Sequence, residues 1–237
     1  MSGLPEASPL DDRGLLDALD AAAGSTPLDA GLLLVGTDGG PMAELDRRLL
    51  ALRAARLGPL VHAVAECPAC GAELELTLDA RELAPTEDGD ELSLRCDGWE
   101  LAFRMPSAAD VAAVASLPDV AAARGALIER CVLGASLGGE AVTPAELPEP
   151  VVTAMAERMA ARDPLGGSRI ALECPECGEM AEQTVDVPWL VRRELAAEAA
   201  RLTEDVHLLA SAYGWSEAEI LSLTPARRAR YLARVEG

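Results

Sequence analysis

Apolar residues recur along this chain at two spacings, and the switches between them mark out its elements. From Leu15 to Ala23 the pattern suits a short helix, interrupted by Gly24, Pro27 and Gly31, and Gly36 to Gly40 with Pro41 reads as a loop. Leu45, Leu49, Leu52 and Leu57 then return at near-helical spacing, with Arg47, Arg48, Arg53 and Arg56 on the other face, until Gly58 and Pro59 stop the helix. Next the period falls to two: Leu74, Leu76 and Leu78 take one face, Glu73, Glu75 and Thr77 the other. The runs Glu91 to Arg95 and Trp99 to Met105 flank Asp97-Gly98, a pair suited to a tight hairpin turn, and Pro106 closes them.

Ser107 with Asp110 resembles a helix start, and helical patterns continue through Leu133 to a Gly134 stop, then from about Pro150 to Arg162. Strand character returns at Arg169 to Glu173 and at Gln183 to Val187. From Trp189 to Tyr213 one apolar stripe (Val191, Leu195, Leu202, Val206, Leu209) runs to a Gly214 cap. Ser216 with Glu219 fits a capping box, and Thr224-Pro225 starts a last helix.

Cysteine spacing adds what periodicity lacks. Four of the six cysteines form two matching pairs, Cys67-Pro68-Ala69-Cys70-Gly71 and Cys174-Pro175-Glu176-Cys177-Gly178, each between short strands. Two residues between thiolates let both sulfurs bind one ion, and the following glycine can take the positive φ that turns backbone N–H groups toward sulfur. Two such half-sites supply the four thiolates of a closed tetrahedral zinc site, which is structural rather than catalytic. A thioredoxin-like role would need one pair at a helix N-terminus in a βαβ pattern. Cys96 and Cys131 have no partner at ligand spacing and read as buried thiols.

The predicted fold is therefore α+β: mainly helical, with a small antiparallel zinc-ribbon-like sheet built from two distant knuckles. Residues 1–59 form an N-terminal helical region, 60–106 and 167–188 a discontinuous sheet, 107–166 a helical insertion and 189–237 the C-terminal helices. The zinc joins strands about a hundred residues apart and fixes the insertion at both ends.

Charge narrows the partners. The 237 residues carry 40 acidic against 20 basic side chains, a formal charge of −20, which repels phosphate backbones and anionic membranes. No apolar run approaches the roughly 18 residues of a bilayer crossing, and Met1 to Asp12 lacks the pattern of a secretory signal, so the expected location is the cytoplasm. Gly134-Ala135-Ser136-Leu137-Gly138 matches a nucleophile elbow with His207 downstream, but it follows a helix and runs into a loop, where an elbow joins strand to helix. His62 and His207 are the only histidines, and neither lies at ligand spacing from a knuckle. Arg227, Arg228, Arg230 and Arg234 make the last helix cationic, and Trp189, Trp215 and Tyr231 supply aromatic anchors near it, for packing or for a partner.

Three stretches carry a family resemblance. They are Asp46-Arg47-Arg48-Leu49-Leu50-Ala51-Leu52-Arg53 with Gly58-Pro59 and the first knuckle; Phe103-Arg104-Met105-Pro106 with Ala109-Asp110; and, after the second knuckle, Tyr213-Gly214-Trp215-Ser216-Glu217 and Arg227-Arg228-Ala229-Arg230-Tyr231-Leu232. In this order they resemble the T-even-type baseplate hub assembly chaperone, or baseplate protein, family of contractile phage tails and phage-tail-like injection systems. The resemblance implies a non-enzymatic cytosolic assembly factor or structural component, possessing no catalytic residue, whose partners are baseplate or hub proteins. The alternative is a zinc-ribbon regulator that binds nucleic acid or the transcription machinery through its terminal arginines.

Overall fold

The computed structural model describes residues 10–37, 39–81, 91–162 and 169–235. Three helices come first: α1 (Asp12–Ala21), α2 (Pro27–Val35) and α3 (Met42–Leu57). Helix α2 corrects the reading of Gly24, Pro27 and Gly31 as an interruption. Pro27 stands in the first turn, where a missing N–H costs nothing, and Thr26 accepts the N–H of Asp29 as the cap. Gly31 is a packing contact, since a Cβ there would lie 3.1 Å from Leu49 Cδ1.

A hairpin follows, β1 (Leu60–Glu66) with β2 (Glu73–Asp79), then a second, β3 (Glu91–Cys96) with β4 (Trp99–Arg104). The second turns on Asp97 and Gly98, whose φ values of 47° and 83° are the paired positive angles of a tight hairpin turn. Helices α4 (Ala108–Ala115) and α5 (Val120–Cys131) come next, the first opened by the Ser107–Asp110 capping box and the second by Asp119 accepting the Ala122 N–H.

The chain does not stay helical from there. Residues after Cys131 form β5 (Val132–Leu137) and a short β6 (Glu140–Ala141), and α6 (Glu149–Arg162) follows. The predicted helical insertion thus contains two strands, because β5 pairs with β4 and completes a four-stranded sheet in the order β3-β4-β5-β6. This also corrects the expectation of one sheet over 60–106 and 167–188. The second hairpin belongs to that four-stranded sheet, while β1-β2 and the pair β7 (Arg169–Glu173) and β8 (Met180–Thr184) are separate two-stranded sheets. Strand β8 starts and ends earlier than its apolar pattern suggests, since Asp186 caps the next helix and Val187 is already in it.

The chain ends in α7 (Val187–Tyr213), α8 (Glu217–Leu221) and α9 (Pro225–Val235). Helix α7 buries Val191, Leu195, Leu202 and Leu209 along the predicted stripe, the first three in one cluster with Leu15, Leu34, Leu45 and Leu49 of α1 to α3. A second, smaller core gathers Leu101, Phe103, Val151 and Met155 between the four-stranded sheet and α6.

Arginines hold the first core together, where the sequence placed them outside. Arg53 is 3% exposed and its Nε lies 2.7 Å from Glu194 of α7. Arg56 pairs at 2.8 Å with both Asp12 and Glu198. Arg228 of α9, also buried, reaches Asp12 at 2.8 Å and Asp205 at 3.0 Å, so one carboxylate joins α1 to α3 and α9. Two arginines overcome the effect of burial on Asp12 and hold its carboxyl below the usual range. Among the aromatics, Trp215 and Tyr231 pack with Tyr213 at centroid distances of 4.7 to 5.7 Å, whereas Trp189 stands apart, 48% exposed under the guanidinium of Arg193.

Candidate metal centre

Each cysteine pair is the turn of a hairpin. Residues 67–72 join β1 to β2 and 174–179 join β7 to β8, so strand pairing on both sides presets the turn. The two turns repeat each other. In the first, Cys67 N–H donates to Ala72 O at 2.8 Å and Gly71 N–H to Cys67 O at 2.9 Å. In the second, Cys174 N–H donates to Glu179 O at 2.9 Å and Gly178 N–H to Cys174 O at 2.8 Å. Gly71 and Gly178 both have φ of 74°, the left-handed angle that glycine at this position can take.

The knuckles meet. All four sulfurs lie within 4.8 Å of one another, with Cys67 Sγ 3.8 Å from Cys177 Sγ and Cys70 Sγ 3.7 Å from Cys174 Sγ. Four sulfurs each about 2.3 Å from one ion stand ~3.8 Å apart at the corners of a tetrahedron, so the spacing fits a single zinc-sized cation. The first cysteine of each pair is buried and the second exposed, as an approximate two-fold relation demands. Among the described residues this is the one group of His, Cys, Asp and Glu donors arranged to hold a metal ion.

Electrostatics favour a cation there. The backbone N–H groups of Cys70 and Ala69 point at Cys67 Sγ and lower its pKa to about 7. Cys177 goes the other way, to about 12. Its Glu179 N–H pulls downward, but partial desolvation of the sulfur and the thiols of Cys174, Cys70 and Cys67 outweigh that pull, although the residue as a whole is exposed. Cys70 is raised as well, against the pull of the Ala72 N–H. One thiolate is accommodated by the turn, and further negative charge at this spacing needs a positive ion between the sulfurs. A soft divalent metal with four thiolates has no open position for water or substrate.

The other candidates are not part of this centre. His62 lies on β1, 3.2 Å from Thr77 Oγ1 across the hairpin, and His207 is exposed on α7. Ser136 lies on β5 opposite Glu100 and Ala141, in an antiparallel strand rather than at a strand-to-helix turn. Cys131 is buried and its thiol is raised by burial and then by Asp110, while Cys96 is half-buried at the end of β3. Of the four terminal arginines, Arg228 is turned inward. No described helix is long and apolar enough to cross a membrane. Comparison with family models, with curated proteins and with solved structures finds no match to the chain.

Proposed function

We propose that this chain is a non-enzymatic assembly factor or structural component of the baseplate or hub of a contractile phage-like tail or injection system. One zinc, held by Cys67, Cys70, Cys174 and Cys177, fastens it, and it acts by binding other proteins. The observation that supports the scaffold reading is the convergence of two distant thiol pairs to within 4.8 Å of one another, a spacing suited to one closed metal site.

The tail assignment draws on the three resembling stretches. Each lies at a joint: Asp46 to Arg53 in α3, where Arg53 meets Glu194; Phe103 to Asp110 at the β4–α4 junction, where Asp110 takes Arg104, Arg130 and Ser107; Tyr213 to Leu232 in the aromatic cluster of α7 to α9. A surface of net charge −20 steers basic partners.

Purification from the native host followed by mass spectrometry is expected to recover baseplate or hub proteins, and a deletion strain is expected to lack functional contractile tails. Normal particles from that strain would overturn the assignment. Metal analysis should give one zinc per chain, lost in Cys67→Ser and in Cys174→Ser alike; retention after either change would break the shared site. A salt-dependent gel shift abolished by neutralising Arg227 and Arg230 would instead favour a nucleic-acid-binding regulator.

A further inference from the structure

The two hydrophobic cores remain separate, and between them runs an open cleft of about 730 Å³. The starts of α2, α3 and α7 wall it on one side, the β4–α4 junction, α4 and α6 on the other. Three of the chain's six methionines, Met42, Met105 and Met159, line it. Ala112 of α4 and Ala156 of α6 line it as well and are exposed, so nothing larger than a methyl projects from either position. Among the described residues of the lining the charged ones are all carboxylates: Asp29, Asp46 and Asp186.

These features together describe an occupant. Methionine is unbranched and polarisable and adapts its shape to a large apolar side chain, which is why such surfaces accept helical peptides. Exposed alanines leave room for that side chain. Asp29 and Asp186 are exposed, and with no basic residue among the described residues of the lining they select a cation, which the −20 charge of the whole chain draws in. A second copy of this chain is disfavoured by the same charge, and the one strongly basic helix, α9, has Arg228 buried and Tyr231 packed in its own fold.

We infer that this cleft docks the apolar face of a basic amphipathic segment of a partner protein, its large apolar anchors among the methionines and its Arg or Lys side chains at the exposed Asp29 and Asp186. This rests on the reading of the chain as a protein-binding module and is independent of the machine it serves.

The test uses the full-length zinc-loaded protein with methionine methyls labelled for NMR. The probe is a synthetic amphipathic peptide of about 18 residues with Leu and Arg at helical spacing, beside a counterpart with Glu for Arg. The basic peptide is expected to bind at least about tenfold more tightly than the acidic one. It should shift the methyl signals of Met42, Met105 and Met159 while that of Met180, 60% exposed on β8, stays in place. Ala112→Trp, which fills the cleft from an exposed helix position, should weaken binding about tenfold, and Ala156→Leu by a smaller factor. Asp29→Asn with Asp186→Asn should weaken it about fivefold and flatten its salt dependence, since Asn preserves the cap of α7.

Cleft methyls that stay still while the peptide binds would overturn the proposal, as would equal binding of the two peptides, or parent-like binding by both filled variants with unchanged melting. A concentration-dependent dimer that shifts the same methyls without peptide would give the cleft to a second copy and overturn it too. A parent that binds the peptide in the cleft yet recovers no tail protein from its host would support the cleft and count against the baseplate assignment alone.

Discussion

The helices around α7 and the two knuckle hairpins solve the same problem by different means. Around α7, leucines from four helices are buried completely, and three arginines reach carboxylates far away in sequence. The hairpins have little to bury. Of β1 only Val61 is buried and of β2 only Leu74, while Leu60, Val64 and Met180 are half or more exposed. The cluster beside the sulfurs is Cys67, Leu74 and Cys174 with Ala65 and Ala72 at its edge. Ordering a residue costs about 1–2 kcal/mol of backbone entropy, which burial offsets more fully around α7 than in these strands, where, among the described residues, Val61, Leu78 and Ile170 alone reach the first core. Where apolar area runs out, four sulfurs stand within 4.8 Å of one another, placed to hold a metal ion.

The largest effect should come from removing the metal. Structural zinc in small peptides contributes apparent binding energies of roughly 10–16 kcal/mol, as much as the whole stability of many domains. Chelation, or Cys67→Ser with Cys174→Ser, is expected to abolish amide protection in β1-β2 and β7-β8 while α3 and α7 stay protected in hydrogen exchange. Helices that melt together with the hairpins would show that the two regions are one cooperative unit and end the contrast.

The converse change belongs to the other region. Leu195 is fully buried in α7, and Leu195→Ala should cost about 3 kcal/mol in denaturant unfolding, with one zinc per chain retained. A cost under about 1 kcal/mol would mean that the core relaxes into the space and that packing around α7 is looser than its burial implies.

What could be read from the sequence divides along similar lines. The knuckles were legible because a Cys-x-x-Cys-Gly turn is local: spacing, left-handed glycine and flanking strands lie within a few residues. The stripe of α7 was legible for the same reason. The outward assignment of Arg53 and Arg56 failed because their partners, Glu194 and Glu198, lie 141 and 142 residues away. The turn to strand after Cys131 was missed because Gly134 looks like a helix stop, and only pairing with β4 makes Val132 to Leu137 extended. Strand alternation likewise says nothing about which hairpin joins which sheet. The cleft between the cores was invisible, since six segments contribute to its walls and no one of them carries a motif.

A third prediction concerns the second core, where charge supplements a small apolar cluster. Asp110 is 1% exposed and accepts Arg104, Arg130 Nε at 2.8 Å, Ser107 N–H at 2.9 Å and Ser107 Oγ at 2.6 Å. Arg104 first, then Ser107 and Arg130, hold its carboxyl well below the usual carboxylate range against the opposing effect of burial. A depressed folded-state pKa contributes stability above the unfolded value of about 3.9 and loses it as pH falls. Asp110→Asn should therefore destabilise by about 2 kcal/mol at neutral pH, with the gap to the parent closing below about pH 4. Reading the amides of β3 and β4 separates this from acid release of zinc, which would open β1-β2 and β7-β8. A gap that persists unchanged in acid would show that the carboxylate's charge is not what holds the junction.

The smallest expected effect tests the likeness of the two knuckles. A Cβ at Gly178 would meet nothing within 4 Å, and one at Gly71 only the Glu66 carboxylate oxygen at 3.8 Å, so alanine at either position strains the backbone without a clash. The left-handed angle costs a non-glycine residue about 1 kcal/mol, which should lower zinc affinity about fivefold in competition with a chromogenic chelator. Gly214→Ala is the control, because its φ of 71° also lies in open space but caps α7, away from the sulfurs. It should lower the helical melt by a similar energy and leave zinc affinity unchanged. Equal losses in Gly71→Ala and Gly178→Ala would mean that both turns preset their sulfurs to the same degree. A loss in one alone would mean that a single hairpin organises the centre and the other is drawn onto it by the metal.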